Sequence, residues 1–249
     1  MTLIVRPGYE WWDPSLISTA LWLDAADAST ITASSGSVDE WRDKSGNARH
    51  VTATSTARPV NTATQNNKTV LSFDGSNDRM TRPGGVITGS AARSVYVVAK
   101  PLDGDTAFDF GTEAANSRYS ISLNTGFIGI SASNIAWSTI NGSSFGVYAF
   151  SQSGTSLSTV TTFWNGTSYA STSSLAATTA TNTGTTITIV GADVSQSAFF
   201  QGDIAEIVVL GQASTTFDRQ RIEGYLAHKW GLAANLPSTH PYKTNAPAP

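Results

Sequence analysis

The sequence has no cysteine and little charge. Charged residues make up only 13% of its 249 positions, about half of the usual quarter. Without cysteine the chain can form no disulfide, zinc–thiolate site or iron–sulfur cluster, and it has no cysteine nucleophile. Its 15 basic and 18 acidic residues give a formal net charge of −3. Because a nucleic-acid backbone is bound by clustered cations, this balance argues against nucleic acid as a partner.

Long apolar runs are also missing. No run approaches the 18 residues or more that a membrane-spanning helix needs, so no membrane insertion is expected. The first ten residues lack a basic segment followed by a long apolar stretch, and no secretory signal peptide is predicted. A place in a virion or outside the cell would therefore require particle assembly or another secretion route.

Serine and threonine are abundant, with 32 and 33 residues, while hydrophobic residues reach 40% and can form a sizeable core. Residues 119–192 contain no Asp, Glu, Lys, Arg or His. Within this stretch, short runs of β-branched and aromatic residues alternate with turn signals such as Asn141-Gly142 and Asn165-Gly166. The pattern predicts an antiparallel β-sandwich.

One segment, residues 216–230, has the period of a helix. Its apolar stripe consists of Ile222, Tyr225, Leu226 and Trp230. Thr215 and Asp218 stand where an N-cap residue and its partner in the first turn belong. Packing of the stripe against the sandwich is favoured over a helix that binds a partner.

Five segments follow one another in a characteristic order. They are Leu21–Asp27, Val38–Asn47, Val70–Asp78 with its Phe-Asp-Gly turn, Thr159–Gly166 with an aromatic residue before Asn-Gly, and Phe200–Leu210 with the pattern Phe-x-Gly-x-Ile-x-Glu. In this order they resemble the LamG-like jelly rolls of the concanavalin A-like lectin/glucanase superfamily, over residues 20–232. The resemblance implies an all-β fold, a two-sheet antiparallel jelly-roll sandwich with one C-terminal helix. It also implies glycan or protein recognition on a concave face or rim.

The remaining segments are an N-terminal arm, residues 1–19, and an extended proline-rich tail, residues 233–249. The adjacent Trp11 and Trp12 make the arm a candidate docking segment, and folding back onto the sandwich is an equal alternative. No linker divides the chain, so a single domain is expected.

The uncharged stretch suggests a surface for neutral sugars, because aromatic faces stack on sugar rings and amides match their hydroxyls. The candidate ligand-binding residues are Trp137, Asn141, Trp164, Asn165 and Tyr169. The alternative is that the tryptophans fill the core, or that the neutral surface packs against other subunits.

Calcium is the one cofactor for which the sequence offers candidates, because clustered carboxylates suit a hard cation. The candidate ligands are Asp74, Asp78, Asp103, Asp105 and Asp109. The alternative is that these side chains cap the backbone of their own turns.

Catalysis is not expected. A glycosidase needs two carboxylates on one face, whereas Asp203 and Glu206 are three apart on a predicted strand, which places them on opposite faces. No Gly-x-Ser-x-Gly elbow is present. The chain is thus predicted not to be an enzyme, with a cryptic glycoside hydrolase as the least favoured reading.

The functional hypothesis is a non-enzymatic surface-recognition module on a phage virion or another extracellular assembly. Its partners would be a glycan, such as a host-surface polysaccharide, and other structural proteins of the same particle, in a homo-oligomer or multi-copy assembly. The alternative is a structural virion protein, capsid-decorating or tail-associated, without glycan binding.

Overall fold

The computed structural model describes residues 12–104, 106–123, 127–129, 134–136, 144–170 and 180–249. The strands of the first half are β1 Thr19–Asp24, β2 Ile31–Ser34, β3 Ser37–Trp41, β4 Val51–Thr52, β5 Thr64–Gln65, β6 Lys68–Thr69, β7 Leu71–Asp74, β8 Met80–Pro83 and β9 Arg93–Gly104. The second half contains β10 Thr106–Gly111, β11 Arg118–Ser122, β12 Phe127–Gly129, β13 Asn134–Ala136, β14 Gly146–Gln152, β15 Val160–Trp164, β16 Thr167–Tyr169, β17 Ile187–Val190, β18 Phe200–Leu210 and the helix α1 Thr216–Lys229.

The strands form two large sheets. One has seven strands in the order β1-β18-β9-β14-β15-β16, with β7 also paired to β18. The other has nine, in the order β13-β12-β11-β10-β17-β8-β4-β3-β2, and β5 and β6 form a separate hairpin. The pairs at the centre of the seven-stranded sheet, such as β18 with β9, are antiparallel. The predicted two-sheet antiparallel sandwich with one C-terminal helix is confirmed.

The centre of the seven-stranded sheet is covered on both faces. On β9, Val95 and Val97 belong to the core between the two sheets, while Tyr96 and Val98 belong to a second cluster with α1. Successive side chains of a strand point to opposite faces, so a strand with apolar layers on both sides reads as a continuous apolar run. This explains the unbroken hydrophobic sequence at the end of β18.

Helix α1 packs on the outer face of this sheet, as its sequence predicts. The Thr215 hydroxyl accepts a hydrogen bond from the Asp218 amide at 3.1 Å and caps the first turn. At the other end Gly231 has a φ of +72°, which glycine adopts without steric cost. Leu226 and Trp230 are fully buried. The stripe is therefore a packing surface of the sandwich.

The two terminal segments meet on α1. Trp12 is buried, and its ring contacts Tyr225 edge to face with centroids 6.1 Å apart. Its amide donates to the Pro247 carbonyl at 3.2 Å. Trp12 is thus folded back onto the sandwich, which is the alternative that the sequence left open for the arm. A docking role of the arm stays a prediction, and Trp11 lies outside the described residues. The tail was expected to be merely extended, yet His240 is buried within it.

Among the described residues, no helix combines the length and apolar character needed to cross a bilayer.

Candidate functional site

Helix α1 leaves part of the outer face of the seven-stranded sheet uncovered, and a cleft of about 270 Å³ lies there. The strands β14 and β15, the segment that links β18 to α1, and the first turn of α1 contribute to it. Six of the residues that line it carry hydroxyl groups: Ser151, Ser153, Thr159, Thr161, Ser214 and Thr216. Phe163, Ala213 and Arg219 complete the lining.

Strand alternation builds the floor of the cleft. Ser151 of β14 lies opposite Thr161 of β15 in an antiparallel pair. Phe163 follows two residues later and packs with the cluster beneath α1, whereas its neighbour Trp164 packs against the core between the sheets. Thr161 and Phe163 therefore share the outer face, because side chains two apart on a strand point the same way.

An aromatic ring and a guanidinium form one wall. The Arg219 guanidinium carbon lies 3.7 Å from the centroid of the Phe163 ring, within the range of a cation–π contact. Its Nη1 donates to Glu223 Oε2 at 2.6 Å, one turn further along α1. Glu223 is fully buried. The ion pair with a buried carboxylate holds the guanidinium against the ring.

A buried hydroxyl network holds the segment between β18 and α1. The Tyr96 hydroxyl and Ser214 Oγ are 2.6 Å apart. The Ser214 amide donates to Ser94 Oγ at 2.9 Å and to Ser151 Oγ at 3.1 Å. Burial raises the pKa of Tyr96 above its ordinary value, so the phenol stays protonated. The rim of the cleft is thereby fixed to its floor.

Several polar groups of the cleft retain hydrogen-bonding capacity. Within the part of the chain that the structure describes, the hydroxyls of Ser153 and Thr216 have no hydrogen-bond partner. Arg219 donates one hydrogen bond there, to Glu223, and a guanidinium has five N–H donors. The cleft can therefore accept a ligand that both donates and accepts hydrogen bonds.

The two predicted aromatic residues that the structure describes, Trp164 and Tyr169, do not line this cleft. Trp164 and Tyr169 contact each other with centroids 6.4 Å apart, and both pack against the core between the sheets. Asn165 is buried, and its Oδ1 accepts from the Val147 amide at 2.9 Å. These three residues lie together in the β15–β16 hairpin, and their role in binding stays a prediction.

The other two ligand candidates, Trp137 and Asn141, lie outside the described residues. Phe163 and Arg219 were not singled out from the sequence. The alternation of β15 could have separated Phe163 from Trp164 by face, but Arg219 lies outside the uncharged stretch and about fifty residues further on. Only the folded chain brings it to the ring.

The calcium candidates Asp74 and Asp78 cap their own turn. Asp74 Oδ1 accepts from the amides of Ser76 at 2.8 Å, Asn77 at 3.1 Å and Asp78 at 3.3 Å. Asp78 Oδ2 accepts from the Asp74 amide at 3.0 Å. Burial opposes ionisation of Asp74, but the amides outweigh it and its pKa lies below the usual value. Burial, with the Asp74 charge, raises the pKa of Asp78 to about 6.

The other calcium candidates lie in the segment 103–109. The segment is the end of β9 and most of β10, and Asp109 is fully buried in β10. Asp109 Oδ2 lies 3.4 Å from Arg118 Nε, and burial raises the pKa of Asp109 to about 7. The side chain of Asp103 and the whole of Asp105 lie outside what the structure describes. Among the described residues, no three His, Asp or Glu side chains gather where they could hold a metal ion.

The expectation that Asp203 and Glu206 face opposite sides is wrong. The register of β18 against β9 shifts between Ile204 and Glu206, which is a β-bulge. Ile204 and Ile207 both belong to the core between the sheets although they are three apart. The extra residue reverses the alternation, so the two carboxylates share the outer face. Glu206 is fully buried beneath α1.

Solved structures of low sequence identity share the fold. A Trypanosoma rangeli sialidase in complex with 2,3-difluorosialic acid matches with a TM-score of 0.54 and 11% identity, over 85% of this chain and 33% of that chain. The same sialidase with sialic acid matches with a TM-score of 0.50 and 9% identity, over 84% and 33%. Domain 4 of an arabinanase from Geobacillus stearothermophilus, in complex with arabinotriose, gives 0.49 and 19%, over 70% and 88%.

The fold is a β-sandwich. At these identities the likeness shows the fold alone, and the chain spans about a third of the sialidase it matches. The sequence matches no protein-family model and no curated protein sequence.

The prediction that the chain is not an enzyme is corrected by these findings. The solved structures that share the fold include a sialidase, so the fold gives no ground for excluding catalysis. The argument from spacing also fails, because the bulge in β18 puts Asp203 and Glu206 on one face.

Proposed function

We propose that the chain is a carbohydrate-binding β-sandwich, related to the LamG-like and concanavalin A-like jelly rolls, and that its ligand binds in the cleft beside the first turn of α1. The observation that carries the proposal is the lining of that cleft. Six hydroxyl-bearing residues surround an aromatic ring that is itself covered by a guanidinium.

This lining has the chemistry that sugar recognition requires. A sugar presents hydroxyls that donate and accept. The hydroxyls of serine and threonine match both roles, and the arginine guanidinium donates to the sugar oxygens. Arg219 covers one face of the Phe163 ring, and the remaining exposed part of this half-buried ring supplies an apolar surface for the C–H groups of a sugar. A concave site with a few convergent polar groups is the usual form of a small-ligand site.

The shared fold gives further support. A sialidase that contains this fold has been solved with sialic acid. A protein with such a sandwich can therefore have a carbohydrate ligand. The proposal concerns binding and applies whether or not the bound sugar is also turned over.

A glycan array tests the proposal, with Phe163→Ala as the diagnostic variant. We expect the wild-type protein to retain a subset of glycans and the variant to bind them at least about tenfold more weakly, since truncating an aromatic anchor costs more than about 1 kcal/mol. Phe199→Ala is the matched control, because Phe199 is likewise a half-buried phenylalanine but packs in another cluster, outside the cleft. Equal losses in both variants, or no glycan bound, would contradict the proposal.

The second part of the proposal concerns the ligand class and the assembly in which the protein binds it. We propose a surface polysaccharide as the ligand class, met by the protein in a virion or another extracellular assembly where it is present in several copies. Mass spectrometry of purified particles tests this setting, since the chain should be found in stoichiometric amount with the structural proteins. If the chain is absent from particles, the proposed virion setting is wrong, while the proposal of glycan binding is unaffected.

A further inference from the structure

Among the described residues that line the cleft, only Arg219 has a charged side chain. Its positive charge is already compensated. Glu223 Oε2 lies 2.6 Å from Arg219 Nη1, and the Glu223 side chain is fully buried while that of Arg219 is 12% exposed. The second oxygen, Glu223 Oε1, is buried without a hydrogen-bond partner in the described part of the chain. The Glu223 carboxylate therefore lies directly beside the Arg219 guanidinium and is shielded from solvent.

A second carboxylate, that of Asp218, lies in the first turn of α1 next to Arg219. Asp218 precedes Arg219, and its Oδ2 accepts from the Thr215 hydroxyl at 2.7 Å. The N-terminus of a helix favours anions, but here the acidic side chain of Asp218 already occupies the first turn. Asp218 and Glu223 thus lie on α1 beside Arg219, and of these three side chains that of Arg219 lines the cleft.

The C-terminal tail holds Glu223 in place. His240 Nε2 lies 3.2 Å from Glu223 Oε2, and the Tyr242 amide donates to His240 Nδ1 at 3.2 Å. Because Nδ1 accepts, we assign the ring proton to Nε2, which donates to Glu223. The carboxylate behind Arg219 is therefore fixed from the helix and from the tail.

We infer that the cleft selects uncharged sugars over sugars that carry a carboxylate, with Glu223 as the residue that determines this specificity. The inference rests on the proposed function and narrows its substrate class. The free N–H groups of Arg219 can donate to a neutral hydroxyl, whereas the negative charge of Glu223, 2.6 Å from the guanidinium, offsets the attraction of Arg219 for a carboxylate. Like charges at close range disfavour binding.

The test uses immobilised neutral oligosaccharides and their uronic-acid and sialic-acid counterparts, so that each acidic sugar has a neutral partner. For the wild type we expect the neutral member of each pair to bind more tightly. We also expect its affinity to change less than about twofold between low and high salt, because hydrogen bonds to neutral groups are little screened.

Glu223→Gln is the diagnostic variant. The substitution keeps the shape and the hydrogen-bond acceptor for Arg219 but removes the negative charge. We expect the ratio of acidic to neutral binding to rise by about tenfold, and the acidic binding that is gained to weaken with salt. Glu40→Gln, on β3 of the other sheet, is the matched control and should leave the ratio unchanged.

A second variant keeps the test decisive if Glu223→Gln does not fold. Arg219→Gln removes the cation and should weaken acidic binding further while neutral binding falls less. Wild-type preference for acidic sugars with a steep loss in salt, or an unchanged ratio in folded Glu223→Gln, would overturn the inference and leave the proposed function intact. Failure of the wild type to bind any sugar would overturn both.

Discussion

Glu206 shows how one buried charge fastens the helix to the sheet. Its two oxygens accept from the indole nitrogens of Trp22 and Trp230, both at 2.7 Å, and Lys229 Nζ lies 2.7 Å away. The Tyr225 hydroxyl donates at 3.2 Å. A buried carboxylate is costly unless it is paired and hydrogen-bonded, and here the partners come from β1 and α1. The Glu206 side chain therefore fixes the position at which α1 packs on the sheet.

Replacing Glu206 by Ala should lower the free energy of unfolding by about 3–5 kcal/mol, because two buried indole nitrogens lose their acceptor and the Lys229 ammonium keeps only one of its two carboxylate partners, Asp24. Urea denaturation measures this change. Asp203→Ala, on the same strand and partly exposed, serves as the control and should cost less than about 1 kcal/mol. Equal costs would show that the network under α1 contributes little.

Asp74 and Asp78 should respond to pH in opposite directions although they share one turn. The pKa of Asp78 is raised to about 6 by burial and the nearby Asp74 charge, so its contribution to stability is present below about pH 4 and is lost as the pH rises through 6. The pKa of Asp74 is lowered by backbone amides, so its contribution is present above about pH 4 and is lost as the pH falls.

Melting temperatures from pH 3 to pH 8 test this pair. Asp78→Asn should be at least as stable as the wild type at pH 7, with a flatter profile between pH 4 and pH 6. Asp74→Asn should lose stability at pH 7 and differ less from the wild type at pH 3. Parallel profiles for the two variants would contradict the assignment.

Local sequence signals were sufficient to predict the backbone conformation at some residues and not at others. Asn165 and Gly166 adopt φ values of +48° and +76°, as an Asn-Gly hairpin turn requires, and the pair alone predicted it. The bulge between Ile204 and Glu206 has no such local mark, because Ala205 and Glu206 fit an ordinary strand. It is set by pairing with β9, which lies about a hundred residues earlier.

At the scale of elements, α1 was the most predictable part of the fold. Its cap, its apolar stripe and its terminal glycine lie within 17 residues, so the sequence contains all the information locally. Strands β3 and β10 were not predicted. Each carries acidic residues, Asp39 and Glu40 in one and Asp109 in the other, and such residues are rare in strands. Pairing with neighbouring strands in the folded chain determines that these two segments form strands.

Trp230→Ala should destabilise the protein by about 3–5 kcal/mol, because the side chain is fully buried between α1 and the sheet. Phe217→Ala is the control on the same helix. Its ring is 59% exposed, and its loss should change stability by less than about 0.5 kcal/mol. Thermal or denaturant unfolding separates the two, and a small effect of Trp230→Ala would mean that α1 does not depend on this contact.

At the scale of the whole molecule, the tail is part of the packed structure. Arg221 Nη2 donates to the Ala248 carbonyl at 2.6 Å, and Lys243 Nζ donates to the Leu236 carbonyl at 2.7 Å. The sequence predicted an extended tail because its prolines prevent regular structure. Proline content gives no information on tertiary contacts, and those contacts order the tail.

Limited proteolysis with a protease of broad specificity should therefore leave residues 237–247 attached until the domain unfolds. Burial and hydrogen bonding of the backbone, rather than position in the sequence, determine where a folded chain is cut. Mass spectrometry of the fragments checks this expectation. An early product that ends near Leu236 and melts at the temperature of the intact protein would contradict it.

The candidate cleft was only partly predictable from the sequence. Its floor, from Ser151 to Phe163, lies in the uncharged stretch that the sequence pointed to as a sugar-binding surface. Its wall comes from Ala213 to Arg219, about fifty residues later and outside that stretch. Which face of β15 meets this wall depends on the packing of α1, which composition does not encode.

A crystal structure of the protein with the tightest-binding oligosaccharide of the array tests the central claim most directly. The account predicts a sugar ring in the cleft, in contact with Phe163 and hydrogen-bonded to Arg219 and to the hydroxyls of Ser153 or Thr216. A sugar bound on another surface while the cleft contains only solvent would contradict it.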